Sequence, residues 1–259
     1  MKIVHFSDWH GHTFPLPHAD LYVCTGDMLP NFRVFVFDVA GQGRVEWEHN
    51  IDLLGDPSHP PPVGTLIEKK LTRDREIAFQ TRYLEKMGHG HLRTLFANKD
   101  APIVCCRGNH DYIDLAPAFV GGSTFEISDD PTRTFLCSSH NDQLRIGGVR
   151  GMRRDRGRWS DELTLEEFSD RARRLPDDID VLVTHSPPEG ILDEIPGASL
   201  GSPALRAYVT KRDLAYPPLS AHLFGHIHEA YGTRTLGETI FSNAACRWRV
   251  IELEEEVTP

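Results

Sequence analysis

Two histidines stand two positions apart directly after a short apolar run, in the stretch AHLFGHIHEAYG that spans residues 221–232. Successive residues of a strand point to opposite faces, so an extended chain would present His226 and His228 on the same side. Four other apolar runs are also followed by residues that can bind metal ions. These residues are Asp8 and His10 in SDWHGH, Asp27 in TGD, Asn109, His110 and Asp111 in RGNHD, and His185 in THSPP.

The candidate ligands offer nitrogen and oxygen atoms and no sulfur. Such a set suits Mn, Fe, Zn or similar ions, and it does not suit a thiolate zinc site or calcium alone. Seven protein ligands are too many for one small ion, but they are the right number for two ions that share a carboxylate. Two ions roughly 3.5–4 Å apart can hold a hydroxide between them and neutralise both the attacking and the leaving oxygen of a displacement reaction. The candidates are Asp8, His10, Asp27, Asn109, His185, His226 and His228.

Five short apolar runs predict the buried strands that would carry these residues. The segments between the runs have nearly helical spacing of apolar residues, so strands and helices alternate as they do in an α/β fold. Loops that follow the strands converge along one edge of such a sheet, which would bring distant residues together. The predicted strands are 1–6, 20–24, 103–106, 180–184 and 221–224, and the predicted helices are 72–96, 165–175 and 202–212.

Other stretches predict antiparallel pairs, so a mixed sheet or two sheets fits the sequence better than one purely parallel sheet. Residues 134–150 have the pattern of two strands around a turn at 141–142. Gly237 lies at the expected turn of a hairpin, which a longer strand at 247–253 follows.

One domain is expected over residues 1–259, with an insertion at about 33–65. The first part of the insertion, 33–48, has the pattern of a hairpin over Gly41–Gly43, and the proline-rich remainder, 51–65, that of a surface loop. The insertion could cover the site or mediate self-association, so a homo-oligomer is one of the expectations.

The composition is that of an ordinary globular protein, with 259 residues of which 39% are hydrophobic and 25% are charged. The formal charge of −10 argues against stable binding of nucleic acid, because such surfaces are basic overall. No apolar stretch approaches the ~18–20 residues of a membrane span. Five cysteines without a CxxC pair indicate reduced, mostly buried thiols, so we expect a cytoplasmic location and no membrane partner.

The ordered set D-x-H, G-D, G-N-H-D, H and G-H-x-H resembles the calcineurin-like metallophosphoesterase superfamily, and the match spans residues 8–228. The stretches THSPPEGILDEI, LFGHIHEAYG and FSNAA are similar to the MPPED-type phosphodiesterases in particular. The resemblance implies a four-layer αββα sandwich of two mixed β-sheets flanked by helices. It also implies a dinuclear metal-dependent phosphoester hydrolase, most of all a phosphodiesterase, that uses a metal-bridging hydroxide as its nucleophile.

The same resemblance assigns roles to the candidate residues. Asp8, His10, Asp27 and His228 would hold the first ion, and Asn109, His185 and His226 would complete the second, with Asp27 as the bridge. His110 would contact the scissile phosphate and assist the leaving group, and Asp111 would orient its ring. Some mammalian members have glycine at the position of His226, so its presence here predicts a complete pair of ions.

Residues outside this set could bind the substrate, a small phosphoester or nucleotide. Arg153 and Arg154 lie in an arginine-rich stretch that is either a solvated basic loop or a grip on a non-reacting phosphate. His12 adds a further imidazole near the predicted site. Trp159 and Tyr231 could stack on a nucleobase, although packing is the more ordinary role of such residues.

Three other functions remain open at this point. The same ligands would serve a phosphomonoesterase or nucleotidase as well as a phosphodiesterase. A metal-stabilised binding module without turnover is a second alternative, which the retained His110 and His226 argue against. A nuclease of the recombination-repair type is disfavoured by the acidic charge.

Overall fold

The computed structural model describes residues 1–50, 60–70, 72–85, 100–119, 123–139, 142–153, 159–214 and 217–253. These residues form short strands and three α-helices, joined by loops. The strands are β1 Lys2–Ser7, β2 Leu21–Cys24, β3 Phe32–Val39, β4 Gly43–Asn50, β5 Thr65–Lys70, β6 Ile103–Cys105, β7 Thr124–Glu126, β8 Phe135–Ser139, β9 Asp142–Val149, β10 Met152–Arg153, β11 Glu162–Leu163, β12 Val181–Thr184, β13 Glu194–Ile195, β14 Ala198–Ser199, β15 Ala221–Phe224, β16 Gly232–Leu236, β17 Thr239–Asn243 and β18 Arg247–Glu252. The helices are α1 Arg73–Tyr83, α2 Leu165–Arg173 and α3 Pro203–Leu214.

Two mixed sheets form the centre of the molecule. The first has the strand order β18-β1-β2-β6-β7, in which only β18 runs antiparallel to its neighbour. The second has the order β16-β17-β15-β12-β9-β8, with four parallel strands in the middle and an antiparallel strand at each edge. The prediction of an α/β fold with mixed sheets is therefore confirmed.

Apolar side chains pack on both faces of each sheet. Val23 of the first sheet and Val181 of the second belong to one buried cluster, which lies between the two sheets. On the outer face of the second sheet, Phe168 of α2 and Leu205 of α3 pack in a second cluster. On the outer face of the first sheet the cover includes Leu84, which follows α1. Strands buried on both faces hold their ends rigidly, as a site built on strand ends requires.

All five predicted strands that precede a candidate ligand are present, and their bounds shift by no more than one residue at either end. The predicted hairpin at the start of the insertion is also present, as β3 and β4 paired antiparallel. β5 pairs with the other edge of β3 and was not predicted. Residues 51–59 of the predicted surface loop lie outside the described part of the chain.

The helices agree with the prediction at their starts. α2 begins with a capping box, in which the Thr164 hydroxyl accepts from the backbone N–H of Glu167 and the Glu167 carboxylate accepts from that of Thr164. α1 ends at Tyr83 within the predicted helix 72–96, of which residues 86–96 lie outside the described part. None of the described helices is long and apolar enough to cross a membrane. All five cysteines are free thiols, and four of them are buried.

Two histidines in the strands are buried and belong to the core. Burial lowers the pKa of His5 and of His222 to about 3. His5 is hydrogen-bonded to Ser242 at 2.8 Å and to Thr25 at 3.0 Å, and Nε2 of His222 lies 2.9 Å from the Thr184 hydroxyl. Both rings are therefore neutral in the folded protein at pH values where an unfolded chain would protonate them.

We expect the folded protein to lose stability as the pH falls below about 6.5. At such pH values His5 and His222 bind protons in the unfolded chain but stay neutral in the folded protein. At pH 5.5 each histidine should cost about 1.4 kcal/mol relative to pH 8. The variant His222→Met should remove its share, so its free energy of unfolding should fall by about 1.4 kcal/mol less than that of the unmodified protein. Urea unfolding at both pH values in excess chelator measures this. His18→Met, which removes an exposed imidazole, should keep the original pH dependence, and an equal dependence in all three proteins would contradict the assignment.

Candidate metal centre

Loops at the carboxyl ends of parallel strands bring the candidate ligands together. Asp8 follows β1 and Asp27 follows β2, while His185 follows β12 in the other sheet. The backbone joins these loops, because the N–H of Asp8 donates to the carbonyl of Gly26 at 2.8 Å and that of His10 to the carbonyl of Asp27 at 2.9 Å. The carboxyl ends of the parallel strands of both sheets thus lie next to each other, and the five sequence motifs follow these strand ends.

Several of these residues have a backbone conformation that non-glycine residues rarely adopt. Their φ angles lie between 47° and 74°, in the left-handed region. Such conformations cost on the order of 1–3 kcal/mol each and cluster at functional sites, where the surrounding structure enforces them. The residues concerned are Asp8, His10, Asp27 and His226.

The first group of potential ligands contains Asp8, His10 and His228, whose donor atoms lie within 4.8 Å of one another. His228 Nε2 is 3.2 Å from Asp8 Oδ1. The other oxygen of Asp8 accepts from the Ser7 hydroxyl at 2.5 Å and from the backbone N–H of His226 at 3.0 Å. One oxygen of Asp8 is thus fixed by the protein, and the other faces the imidazole.

The second group contains Asp8, Asp27 and His185, all buried. His185 Nδ1 lies 2.7 Å from the carbonyl oxygen of Thr25, and because a carbonyl only accepts, Nδ1 must carry a proton. Nε2 is then the nitrogen with a lone pair in the neutral ring, and it faces Asn109 Oδ1 at 3.0 Å and Asp27 Oδ2 at 3.4 Å. A nitrogen lone pair that faces two oxygens, with the opposite ring nitrogen tied to a carbonyl, fits a bound cation.

The two groups share Asp8, whereas Asp27 belongs to the second group alone. The resemblance implies that Asp27 is the carboxylate shared by the two ions, and this stays a prediction. His226, predicted in the second group, has its ring centroid 4.9 Å from that of His185. The ring of His10 lies 5.5 Å from that of His228.

The charges at the centre favour a cation. Burial alone would raise the pKa of Asp8, but the hydrogen bond from His228 and the charge of His185 lower it to about 2. Burial would also lower the pKa of His185, but the charge of Asp27 and their hydrogen bond raise it to about 9. Hydrogen bonds between His228 and the side chains of Asp8 and Cys246 raise the pKa of His228 to about 11. Because imidazoles must be neutral to ligate, metal binding here would release protons.

Glycines at two strand ends allow this close approach. A Cβ at Gly108 would overlap the carboxylate of Asp27, and one at Gly225 would overlap the Ser7 hydroxyl and the Asp8 carboxylate. The glycines of GNHD and GHIH therefore leave room for the carboxylates of the neighbouring motifs.

His110 lies beside the ligands without belonging to either group. Its backbone N–H donates to Asp27 Oδ1 at 2.7 Å. Its ring centroid is 5.2 Å from that of His10 and 4.3 Å from that of Trp159, and its buried Nδ1 has no hydrogen-bond partner. Burial lowers the pKa of His110 to about 3 against the opposing charge of Asp27, so the ring is neutral near pH 7.

Asp111 has a different role from the predicted one. Its Oδ2 accepts from the backbone N–H of Asp27 at 2.6 Å and of Gly108 at 2.9 Å, and its Oδ1 from that of Leu29 at 3.0 Å. The carboxylate therefore ties the GNHD loop to the TGD loop and does not orient the ring of His110. Burial and the charge of Asp27 raise the pKa of Asp111 to about 7.

The predicted substrate-binding residues are not brought into the centre by any described contact. His12 is exposed. Arg154 and the side chain of Arg153 lie outside the described part of the chain. Tyr231, for which packing is the more ordinary role, lies under two guanidinium groups, those of Arg249 at 4.1 Å and Arg247 at 5.3 Å from its ring centroid.

Some residues that contact the proposed ligands or His110 were not predicted from the sequence. The Thr25 carbonyl fixes the tautomer of His185, and the Asn31 side-chain amide is 3.0 Å from His10 Nδ1. Gln80 donates to the carbonyl of His110 at 2.6 Å. Asn31 follows TGD by only four positions and could have been suspected for that reason, whereas Gln80 lies in an unrelated helix.

Comparison with known proteins agrees with this geometry. A profile described as calcineurin-like phosphoesterase matches residues 1–230. The UPF0046 protein K07C11.7 of Caenorhabditis elegans is 38% identical to the chain over 80 residues, which are 31% of the chain and 26% of that protein. Human metallophosphoesterase domain-containing protein 1 is 38% identical over 71 residues, which are 27% of the chain and 21% of that protein. The matched segments thus cover about a quarter of the length of these relatives.

Proposed function

The chain belongs to the calcineurin-like phosphoesterase family, and from that premise we propose that it is a dinuclear metal-dependent phosphoester hydrolase that prefers phosphodiesters. The observation that carries the proposal is the pair of Asp/His groups that meet at Asp8. The described α/β architecture would then be the four-layer αββα sandwich of two mixed sheets flanked by helices, and residues 1–259 one domain.

Seven residues would hold the two ions, and their donor atoms suit Mn, Fe or Zn. The ions would supply Lewis acidity toward the phosphoryl oxygens and lower the pKa of an attacking water. Asn109 would contribute a neutral oxygen, which limits negative charge beside an anionic ester. The proposed ligands are Asp8, His10, Asp27, Asn109, His185, His226 and His228.

His110 is the proposed catalytic residue. The hydrogen bond from its backbone N–H to Asp27 holds it next to the ligands, and its low pKa keeps the ring neutral. A neutral imidazole still has one N–H, which can donate to the oxygen that departs from phosphorus. We therefore assign His110 the stabilisation of the leaving oxygen by a hydrogen bond, and Asp111 the positioning of the loop that carries it.

The preference for diesters rests only on the resemblance of THSPPEGILDEI, LFGHIHEAYG and FSNAA to MPPED-type phosphodiesterases, because the ligand set would serve a monoester equally well. The formal charge of −10 favours a small phosphoester or nucleotide over a stably bound nucleic acid.

We expect close to two metal equivalents per chain in the purified protein by elemental analysis, and faster hydrolysis of bis(p-nitrophenyl) phosphate than of p-nitrophenyl phosphate. Chelation should abolish the activity, and adding back the metals found should restore it. Faster hydrolysis of the monoester would instead indicate a phosphomonoesterase. Negligible hydrolysis of both esters with every divalent metal would indicate a binding module, and digestion of single-stranded DNA with manganese a nuclease.

A further inference from the structure

Helix α1 buries a polar face. Its buried residues are Glu76 and Gln80, one turn apart, whereas Ile77 and Phe79 are only half-buried. Charged and amide side chains are rarely buried without specific partners. The groups that these two side chains contact therefore indicate what the helix does.

Gln80 holds the main chain around His110. Its amide nitrogen donates to the carbonyl of His110 at 2.6 Å, and its amide oxygen accepts from the N–H of Tyr112 at 2.8 Å. The two hydrogen bonds fix the backbone on both sides of Asp111, and Gln80 itself is fully buried.

Glu76 leads to the ring of the same histidine through two further side chains. It forms an ion pair with Arg33 of β3, and it also accepts from the backbone N–H of Phe32 at 3.2 Å. The guanidinium of Arg33 lies over Trp159, with its central carbon 4.8 Å from the ring centroid. Trp159 also contacts the ring of His110, at a centroid distance of 4.3 Å and an interplanar angle of 51°.

The loop that carries Trp159 is itself fixed to the centre. The backbone N–H of Ser160 donates to the carbonyl of Asn109 at 2.9 Å. Asp161 accepts two hydrogen bonds from Arg150, at 2.6 Å and 3.1 Å, and a further one from Arg107 at 3.4 Å. Trp159 is thus anchored on the loop side and covered by Arg33 on the other.

We propose that Arg33, Glu76, Gln80 and Trp159 form a positioning group that sets the orientation of His110 in the reaction proposed above, on which this inference rests. Nδ1 of His110 has no hydrogen-bond partner, so no polar contact at that atom fixes the rotation of the ring. Aromatic contact with Trp159 does so instead, and the charge of Arg33 holds the indole in place. Through Arg33, strand β3 of the predicted insertion contributes to the metal centre.

The kinetic test replaces Trp159, which is half-buried, so that folding is not at risk. Trp159→Ala should lower kcat about ten- to hundredfold with little change in KM, because small misplacements of a catalytic group have effects of this size. Trp159→Phe retains a ring and should recover most of kcat. Arg33→Lys keeps a charge for Glu76 but cannot lie flat on the indole, so a smaller loss of kcat is expected.

Arg75→Lys is the matched control, because Arg75 also joins α1 to the β3–β4 hairpin, through an exposed 2.9 Å ion pair with Glu46 of β4, and lysine keeps its charge. Its kcat should be unchanged. An unchanged kcat in Trp159→Ala would overturn the proposal, as would an equal loss in Trp159→Phe and Trp159→Ala.

A spectroscopic test separates this inference from the proposed hydrolysis. In protein with 13C-labelled histidine, the ring-proton resonance of His110, identified by its loss in His110→Ala, should shift in Trp159→Ala because the indole ring current disappears. It should shift less in Trp159→Phe and not at all in Arg75→Lys. Such shifts in a protein that hydrolyses no ester would support the positioning and refute the hydrolase. A resonance unmoved by Trp159→Ala would refute the positioning whatever the activity.

Discussion

Replacing Asp27 with asparagine should reduce the bound metal from two ions to one or fewer and lower kcat more than about a hundredfold. Residues that only hydrogen-bond to a metal ligand cost up to about a hundredfold when they are replaced, and the loss of a ligand itself should exceed that. Asp27 is buried, and its pKa is held well below the usual range by His185, His110 and His10 despite its burial. The Asp27 side chain is therefore already a carboxylate, and it can bind a cation without first releasing a proton. Asparagine has the same shape and lacks that charge.

The fold should survive this substitution. The contact that organises the loop is the backbone N–H of His110 donating to Asp27 Oδ1, and an amide oxygen can accept it as well. Elemental analysis and the rise in Tm on addition of metal measure the effect, because a ligand that binds only the folded state raises Tm. The rise should shrink in Asp27→Asn.

Asp20→Asn provides the control. Asp20 precedes β2, at the opposite end of the strand from Asp27, and its carboxylate accepts from the backbone N–H of Lys2 at 2.7 Å. Metal content and kcat should be unchanged there. Two full metal equivalents in Asp27→Asn would remove Asp27 from the ligand set. A parallel Asp8→Asn variant tests which carboxylate is shared, because loss of both ions is expected from the one common to both groups.

The strands and the meeting of their loops could be predicted from the sequence for a physical reason. Each ligand motif follows an apolar run short enough to be a buried strand, and parallel strands in one sheet end at one edge. Asp8 and Asp27 follow paired strands of the first sheet, so their register aligns the two loops, and the packing of the second sheet against the first brings His185 to them. The same reasoning predicted the hairpin of β3 and β4 from its two glycines.

The roles of the polar side chains around the ligands could not be predicted in this way. Apolar spacing predicted the helix that contains α1, but it did not indicate that the buried residues of α1 are Glu76 and Gln80, whose partners come from β3 and the GNHD loop. The resemblance implied that Asp111 orients the ring of His110, but the oxygens of Asp111 face three backbone N–H groups. Such pairings depend on tertiary distances, which residue types do not encode.

His110→Ala should keep both metal ions and lower kcat by about two to three orders of magnitude, the usual effect of removing one hydrogen-bond donor to a developing oxyanion. The side chain contributes to neither group of potential ligands, so metal content should match that of the unmodified protein. Because burial holds the pKa of the ring at about 3, and nearby cations would lower it further, the imidazole should remain neutral from pH 6 to 9. The loss of kcat should therefore be the same across that range.

The leaving group gives a second measure of the same role. A poor leaving group develops more negative charge on its oxygen, so phenyl esters should lose more activity than p-nitrophenyl esters in His110→Ala. His18→Ala is the control, since His18 is an exposed imidazole outside the candidate site, and its kcat should change less than twofold. If the unmodified enzyme instead shows a pH-dependent limb that disappears in His110→Ala, the ring transfers a proton and is not a neutral donor. An unchanged kcat would remove His110 from the reaction, and a loss of metal would make it a ligand.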